Sequence, residues 1–338
     1  MSKTERVLVV FNAEGPTTLD QDYTEDLKKK DWETEKDVIQ ALEKLGHSYD
    51  ILGVFDDVEI IAEKIKSFQP TVIFNLVERF NHSADLDRDI ASVFKLHGLP
   101  FTGCGATGLT LCKNKALSKK ILSYHRVRVP DFIVLPKKKK IHRPKKLNFP
   151  IFIKPLKEEA SLGIAQASFV ENDDQFHERV QFIHEKMNQD AIAEEYIPGR
   201  ELYVSVMGNH RLEVFPCREI RFNQVPEDEP KFASYKAKWD ENYRKKWGIR
   251  NQFAAPLAEG IQARLEKIAK KIYHLLFMRG YARLDMRLTP DGEIVFIEAN
   301  PNPMLSAEED FAESAAKAGL NYAQLIQRII NLSHHEND

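Results

Sequence analysis

The sequence has few cysteines and no long apolar run. Its 338 residues include three cysteines, Cys104, Cys112 and Cys217, and no Cys-x-x-Cys pair. This spacing argues against a disulfide framework and against a zinc knuckle. No stretch reaches the roughly 18 apolar residues of a membrane span, and residues 1–6 lack the apolar run of a signal peptide. We therefore expect a reducing compartment, the cytoplasm, and no membrane partner.

A strong excess of one charge sign is also lacking. Lys and Arg together number 49 against 51 for Asp and Glu, which gives a net charge of −2. A protein that binds nucleic acid by broad electrostatic attraction would be basic, so we expect no nucleic-acid partner. The basic run PKKKKIHRPKK at 136–146 lies between two predicted strands, and we interpret it as a solvated loop, not as a nuclear-targeting segment.

Hydrophobic residues make up 43% of the sequence, which is typical of a folded chain. This length and composition suffice for two or three packed units. In the first third, short β-rich runs alternate with amphipathic stretches, which predicts a parallel sheet with helices on its faces. The runs and stretches are Val7–Phe11, Asp20–Leu45, Tyr49–Val54, Val58–Phe68, Thr71–Leu76 and Leu86–His97. Residues 100–103 predict one more short strand, and Gly103, Gly105 and Gly108 predict a turn before a helix at Lys113–Ser123.

Strands follow one another directly in the middle of the chain, which predicts an α+β domain with a mainly antiparallel sheet. The predicted strands are Asp131–Leu135, Ile151–Pro155, Ile164–Phe169, Ala191–Tyr196 and Glu201–Met207, with a helix at Asp173–Glu185. The last third predicts a polar segment at Phe222–Phe253, a helix at Leu257–Met278, a hairpin of Tyr281–Leu288 with Glu293–Ile297, and helices at Ser306–Ala318 and Tyr322–Leu332. We place the domains at 1–112, 113–208 and 209–338.

The hairpin carries the strongest chemical signal. Arg283 and Asp285 are two residues apart on its first strand, and Glu298 and Asn300 are two apart at the end of its second. Side chains two apart on a strand share a face, so three oxygen ligands and one guanidinium converge. Such oxygens suit magnesium, and the arginine suits a phosphate or an oxyanion. The alternative is an ordinary Arg–Asp pair on a surface hairpin.

The alternating apolar positions of the same run are expected to form the core face of the hairpin. They are Leu284, Met286, Leu288, Val295 and Ile297. The sequence G-Y-A-R-L-D at 280–285 with E-A-N-P-N-P at 298–303 resembles the metal-binding end of ATP-grasp enzymes, in the branch of the D-alanine–D-alanine ligases. The resemblance implies an ATP-grasp fold behind an N-terminal parallel α/β domain. It also implies that Asp285, Glu298 and Asn300 hold Mg²⁺, with Mn²⁺ as an alternative.

A strand ending in Lys154 is followed by a loop at 156–163. A lysine at a strand end can neutralise phosphate, and a loop of small residues can close over phosphates with its backbone N–H groups. The alternative is a lysine before a turn proline. In the family that this chain resembles, the lysine binds the α- and β-phosphates. The loop departs from the family pattern because Ala160 replaces the first of two serines, which leaves Ser161 as a catalytic candidate.

Two further segments are similar to nucleotide-binding parts of the family. The run N-K-A-L-S-K at 114–119 implies that Lys115 contacts phosphate, although sequence alone would allow an exposed helical lysine. The run E-E-Y-I-P-G-R-E at 194–201 predicts a strand, a tight turn and a strand, whose backbone and last glutamate suit adenine and ribose. The implied adenosine-binding residues are Glu194, Glu195, Tyr196, Ile197 and Glu201. The alternative is a hairpin with acidic edges.

The run F-A-S-Y-K-A-K-W at 232–239 resembles the family's F-x-x-Y-x-x-K-Y loop. The resemblance assigns Lys238 both a phosphate contact and a catalytic role. Trp239 stands where the family has a tyrosine, so the hydroxyl of that tyrosine is lost. Alternatively, Tyr235 and Trp239 form an aromatic stripe that packs on the core.

The reaction implied by the resemblance joins a carboxylic acid to an amine, with Arg283 stabilising the oxyanion. Small-molecule acids and amines are thus the expected partners, and a homodimer is left open. The family's H-G-x-x-G-E-D-G segment is replaced by N-L-V-E-R-F-N-H at 75–82, so we expect a different amino acid or small peptide as substrate, with D-Ala–D-Ala as the lesser alternative. Glu14 and Glu78 are candidate anchors for an amino group. Alternatives are an ATP-binding regulatory protein and a phosphotransferase.

Overall fold

The computed structural model describes residues 4–158, 161–226 and 229–334. Ala160, where the phosphate loop departs from the family pattern, lies outside the described residues. The first unit is a parallel three-stranded sheet in the order β2-β1-β3, with helices between the strands as predicted. Its elements are β1 (Arg6–Asn12), α1 (Glu33–Leu45), β2 (Ser48–Val54), α2 (Glu59–Phe68), β3 (Val72–Leu76) and α3 (Asp87–Leu96). The predicted strand at 100–103 is reduced to a single bridge between Phe101 and Ile73.

Two helices follow where one helix and a glycine turn were predicted. They are α4 (Ala106–Lys113) and α5 (Lys115–Tyr124). The prediction of a turn at Gly108 is wrong, because Gly108 lies within α4 and a Cβ atom there would collide with the Phe277 carbonyl. Glycine is therefore used for close packing at this position. Asn114 separates the two helices, since its side chain accepts from the Leu117 backbone N–H and so begins α5.

The second sheet has four antiparallel strands in the order β4-β7-β5-β6, as predicted for an α+β unit. Its elements are β4 (Phe132–Leu135), β5 (Ile151–Pro155), β6 (Phe169–Val170), α6 (Asp173–Lys186) and β7 (Ala191–Glu195). Of the predicted strand Ile164–Phe169 only Phe169 lies in a strand, β6. A 3₁₀ turn occupies Gln166–Ser168, where the Ser168 hydroxyl accepts from the Ala165 N–H. The basic run at 136–146 is the loop between β4 and β5, and Lys137–Lys140 are exposed.

The third sheet has six strands in the order β11-β10-β8-β12-β13, with β9 paired to β8. The strands are β8 (Arg200–Met207), β9 (Glu213–Val214), β10 (Arg218–Phe222), β11 (Ile249–Phe253), β12 (Tyr281–Leu288) and β13 (Ile294–Pro301). The helices of this part are α7 (Tyr235–Trp239), α8 (Glu241–Trp247), α9 (Ile261–Leu275), α10 (Asp310–Lys317) and α11 (Tyr322–Ser333). The polar segment predicted at Phe222–Phe253 contains α7, α8 and β11. The domain limits stay a prediction.

A β-bulge in the β12–β13 hairpin changes the predicted core face. Asp285 lies opposite Glu298 but Met286 lies opposite Phe296, so Ile297 is the extra residue. Val295 lies opposite Arg287 and therefore shares the face of that arginine. The assignment of Val295 and Ile297 to the core face is thus wrong. Ile294 and Phe296 take that place, packed with Leu284, Met286 and Leu288.

The end of β13 is attached to the first unit. The Asn302 side-chain oxygen accepts a hydrogen bond of 2.6 Å from the Cys104 backbone N–H. Gly103 has a φ of +84°, and a Cβ atom there would collide with the Asn302 amide. One hydrophobic core, which includes Leu8, Ile73 and Leu284, runs from the parallel sheet to the hairpin. No described helix is long and apolar enough to cross a membrane.

Candidate active site

The hairpin places the four predicted residues as two facing pairs. Asp285 lies opposite Glu298, and Arg283 lies opposite Asn300. Directly opposed residues of an antiparallel pair project from the same face of the sheet. Both carboxylates, the amide and the guanidinium therefore meet on one face, as the spacing predicted.

Asp285 is the buried member of this group. Its two oxygens accept from the Arg283 guanidinium at 2.7 and 3.1 Å, and the guanidinium also lies over the Tyr203 ring, 4.8 Å from its centre. Burial raises the pKa of Asp285 even though Arg283 opposes the shift. The pair thus holds a carboxylate in a site poor in water, where opposite charges attract strongly. The alternative of a surface Arg–Asp pair is wrong, since Asp285 is only 2% exposed.

Glu298 lies among cations. The Lys115 ammonium is 3.8 Å from its carboxylate and also donates to the Glu158 carbonyl. Burial favours protonation of Glu298, but the charges of Lys115, Lys154 and Lys238 outweigh burial and lower its pKa. Lys115 is itself buried, which contradicts the alternative of an exposed helical lysine. The carboxylate therefore stays ionised in a positively charged surrounding.

Glu194 lies between two buried lysines. Its carboxylate is 3.0 Å from the Lys119 ammonium and 3.1 Å from the Lys154 ammonium. Burial favours the neutral acid, but the two lysines outweigh it and lower the pKa of Glu194. Burial lowers the pKa of Lys119 to about 8, against the attraction of Glu194. Both oxygens of Glu194 are thus engaged by lysine ammonium groups, and its contact with adenosine stays a prediction.

A small pocket of about 60 Å³ lies between the two antiparallel sheets. Phe152 and Phe232 form part of its wall, with ring centres 4.8 Å apart in an edge-to-face arrangement. Ten predicted site residues line it: Lys154, Ser161, Glu194, Glu195, Tyr196, Ile197, Glu201, Lys238, Asp285 and Glu298. The predicted adenosine residues and the predicted phosphate and metal residues thus meet in one pocket.

The loop after β5 and the helix α7 close one side of this pocket. The Ser161 hydroxyl donates to the Ala233 carbonyl at 2.8 Å, and the Tyr235 N–H donates to the Ile164 carbonyl at 3.0 Å. Ser161 therefore ties the loop to the segment just before α7, and its catalytic role stays a prediction. The alternative of a packed aromatic stripe is wrong, because Tyr235 is 46% exposed and Trp239 is 44% exposed.

A larger cavity of about 790 Å³ adjoins the pocket. Lys238 lines both spaces, and Arg283, Asn300 and Trp239 line the larger one. Its floor holds Arg218, whose guanidinium donates to Asp310 at 2.7 Å. Further lining residues come from the first unit and from α8, β11 and the segment before α10; those with charge are Lys30, Glu78, Asp87, Lys113, Glu241, Arg244, Arg250, Glu308 and Glu309. Of the two candidate amino-group anchors, Glu78 lines the cavity and Glu14 does not.

Sequence reasoning missed two charged residues of the site. Arg287 lines the small pocket and donates to the Glu201 carboxylate at 2.7 Å and to the Lys231 carbonyl at 2.9 Å. Its position two residues beyond Asp285 on β12 was a usable signal, since Arg283, Asp285 and Arg287 must share a face. Lys119 was missed because a lysine on an amphipathic helix is normally solvated, and its burial depends on the packing of distant strands.

The residues present fit a magnesium site of the kind that shares phosphate oxygens. Asp285 and Glu298 supply two carboxylates in the pocket that Lys154 lines, and Asn300, on the same face of the hairpin, supplies an amide in the adjoining cavity. Among the described residues no group of three His, Cys, Asp or Glu side chains could hold a metal by itself. Magnesium retains several ligands from water and phosphate, so two carboxylates and an amide suffice for it.

Comparison with known proteins gives matches to one family. The family model for the D-ala D-ala ligase C-terminus matches residues 115–331. A D-alanine–D-alanine ligase of Thermotoga maritima is 27% identical over 297 residues, which cover 87% of this chain and 89% of that one. An uncharacterised protein of Sinorhizobium fredii, y4sG, is 27% identical over 308 residues, 88% of this chain and 86% of its own.

The fold agrees as well. The crystal structure of a Bacillus anthracis D-alanine–D-alanine ligase complexed with ATP has a TM-score of 0.75 and 22% identity, and the match covers 98% of both chains. The ATP-grasp fold predicted from sequence is confirmed, with its parallel first sheet and its antiparallel second and third sheets. The family match also confirms the expected enzyme class, the ATP-dependent ligases that form carbon–nitrogen bonds. The chain therefore belongs to the D-alanine–D-alanine ligase family.

Proposed function

We propose that this protein joins the carboxylate of an amino acid or small peptide to an amine, through an acyl-phosphate formed from ATP. The observation that carries the proposal is the meeting of Lys154, Lys238, Asp285 and Glu298 in one pocket beside a larger cavity. Ammonium groups and carboxylates side by side suit a triphosphate that is bound together with a cation. The adjoining cavity provides the space for the acid and the amine.

In the proposed reaction a substrate carboxylate oxygen attacks the γ-phosphorus of ATP, and ADP leaves. The amine nitrogen then attacks the acyl carbon, phosphate leaves, and the nitrogen loses a proton to give the amide. Lys115, Lys154 and Lys238 bind phosphate oxygens. Arg283 faces the cavity beside Asn300 and stabilises the oxyanion of the second step, since a fixed cation in a dry site acts where charge develops.

Asp285, Glu298 and Asn300 would hold Mg²⁺, and Mn²⁺ is an alternative. When bound, the metal supplies positive charge that neutralises the phosphate oxygens. Glu201 would accept from a ribose hydroxyl; in support of this role, Arg287 holds one of its carboxylate oxygens at 2.7 Å and the group lines the pocket. The backbone of 195–197 supplies the hydrogen-bonding groups for adenine.

The large cavity favours a substrate other than D-alanine. Formation of D-Ala–D-Ala is the lesser alternative. The cavity volume of about 790 Å³ is that of a site for a sizeable small molecule. Its wall carries the basic residues Lys238, Arg244 and Arg250 and the acidic residues Glu308 and Glu309. Charges of both signs suit a zwitterion whose charged groups are separated, such as an amino acid with a long side chain or a short peptide.

The test is to incubate the protein with ATP, Mg²⁺ and a panel of amino acids and dipeptides, to measure ADP release, and to identify products by mass spectrometry. Hydroxylamine in place of the amine should trap the acyl-phosphate as a hydroxamate. ADP release that depends on a carboxylate, with an amide product, is the expected result. Nucleotide binding without substrate-stimulated ADP would instead favour the regulatory protein, and a stable phosphorylated product would favour the phosphotransferase. Cytoplasmic location and a homodimer stay predictions.

A further inference from the structure

Lys119 lies at a buried junction of α5 with β7 and β13, two strands that line the small pocket. It belongs to α5, its ammonium is 3.0 Å from Glu194 on β7, and it donates to the carbonyl of the bulged residue Ile297 on β13. The ammonium also lies 5.5 Å from the centre of the Phe296 ring. The side chain is 0% exposed and is not among the residues that line the pocket. Lys119 thus contacts the pocket wall from behind.

The contacts of Lys119 form a chain of three charges. Glu194 pairs with Lys119 through one carboxylate oxygen and with Lys154 through the other, at 3.0 and 3.1 Å. Burying an ion is costly unless it is paired, and all three side chains are 3% exposed or less. The chain carries two positive charges and one negative charge. One positive charge of this group is therefore left over. Of the three side chains, Lys154 and Glu194 line the pocket and Lys119 does not.

We infer that Lys119 is a positioning residue that shares the charge of Glu194 and so leaves the Lys154 ammonium with net positive charge for a phosphate. Without Lys119, Lys154 and Glu194 form a neutral pair, and the attraction of the pocket for a polyanion falls. The inference rests on the proposed function, because it takes the pocket to be the site of the ATP phosphates. Lys119 itself does not touch the nucleotide.

The first test is the variant Lys119→Met, which removes the charge and keeps much of the side-chain volume. Binding of ATP with Mg²⁺, and of adenosine alone, is measured by titration calorimetry. We expect the Kd for ATP to rise about ten- to hundredfold, because the loss of positive charge weakens the charge-assisted contact between Lys154 and phosphate. The Kd for adenosine should stay within about threefold of the original, because the effect acts on phosphate only.

The second test is the double variant Lys119→Met with Glu194→Gln. It leaves Lys154 as the one charge of the group, so the net charge returns to that of the original protein. We expect the Kd for ATP to recover to within about threefold of the original. A role of Lys119 in packing alone would give no such recovery. The matched control is Lys120→Met, since Lys120 is the next residue of α5 and is exposed; its Kd for ATP should not change.

Three outcomes overturn the inference. The first is unchanged ATP binding by Lys119→Met, and the second is a double variant that binds ATP no better than the single one. The third is an equal loss of ATP and adenosine binding with a lowered Tm, which would show a general packing role. Failure of the original protein to bind ATP is a separate result, and it contradicts the proposed function itself.

Discussion

The two spaces of the site differ in how their charged groups are held. In the small pocket Lys154 and Glu194 are buried and ion-paired, and Asp285 lies on a central strand with a bidentate arginine. In the large cavity Glu308 is exposed and Glu309 is half-buried, and both lie in the segment before α10. The proposed phosphate side is therefore fixed by sheets and ion pairs, whereas part of the proposed substrate side is built from loops. This difference suits an enzyme that keeps the chemistry of its family but acts on a different substrate.

The largest effect is expected on the phosphate side, from Glu298→Gln. The amide keeps the shape of the side chain but removes a negative charge from the proposed metal site, so ADP release should fall at least about a thousandfold. The rate of ADP release under saturating ATP is the measurement. Glu293→Gln, an exposed residue in the turn just before the same strand, is the control and should keep the original rate. A Glu298→Gln variant with normal turnover would contradict the metal assignment.

A smaller loss is expected from Arg283→Met, at the border between the two spaces. The variant leaves Asp285 without its guanidinium and removes the cation proposed for the oxyanion, so kcat for amide formation should fall about a hundred- to a thousandfold. Comparison of amide formation with hydroxamate formation from hydroxylamine then separates loss of chemistry from loss of amine binding. If kcat is unchanged and only KM rises, Arg283 binds substrate and does not stabilise an oxyanion.

A variant at Arg218 tests whether the large cavity also depends on a buried ion pair. Arg218→Met leaves Asp310 buried without its guanidinium, and we expect the free energy of unfolding to fall by about 3 kcal/mol. Urea unfolding provides the measurement. Arg328→Met removes a half-exposed pair with Glu213 and should cost under about 1 kcal/mol. Equal losses of unfolding free energy for the two variants would show that burial does not increase the contribution of the Arg218 pair to stability.

The smallest effect is expected from Glu309→Gln. Burial raises the pKa of this carboxyl, and the nearby charge of Asp310 adds to the shift. If it binds an amino group of the substrate, KM for that substrate should rise about three- to tenfold while the Kd for ATP stays the same. Steady-state kinetics with the best substrate of the panel is the measurement, with the exposed residue Glu178 changed to Gln as control. A changed Kd for ATP would mean that the two spaces are not independent.

The sequence predicted the hairpin and its acids well, because the alternation of a strand is a local property. The face of Ile297 could not be predicted, since a bulge depends on how two strands are paired. Helix α4 was missed because Gly105 and Gly108 are typical of turns, and only the packing of Gly108 against Phe277 explains a helical glycine. Burial of Lys119 likewise depends on β7 and β13, which lie far away in sequence.

The attachment of β13 to the first unit carries a consequence for variation in that unit. Asn302 accepts from the Cys104 N–H and fills the space beside Gly103, only two residues from Asn300. A side chain at position 103 would displace the Asn302 amide and shift the strand end that holds Asn300. Substitutions of Gly103 would therefore reduce activity as substitutions in the active site do, even though residue 103 need not contact a substrate.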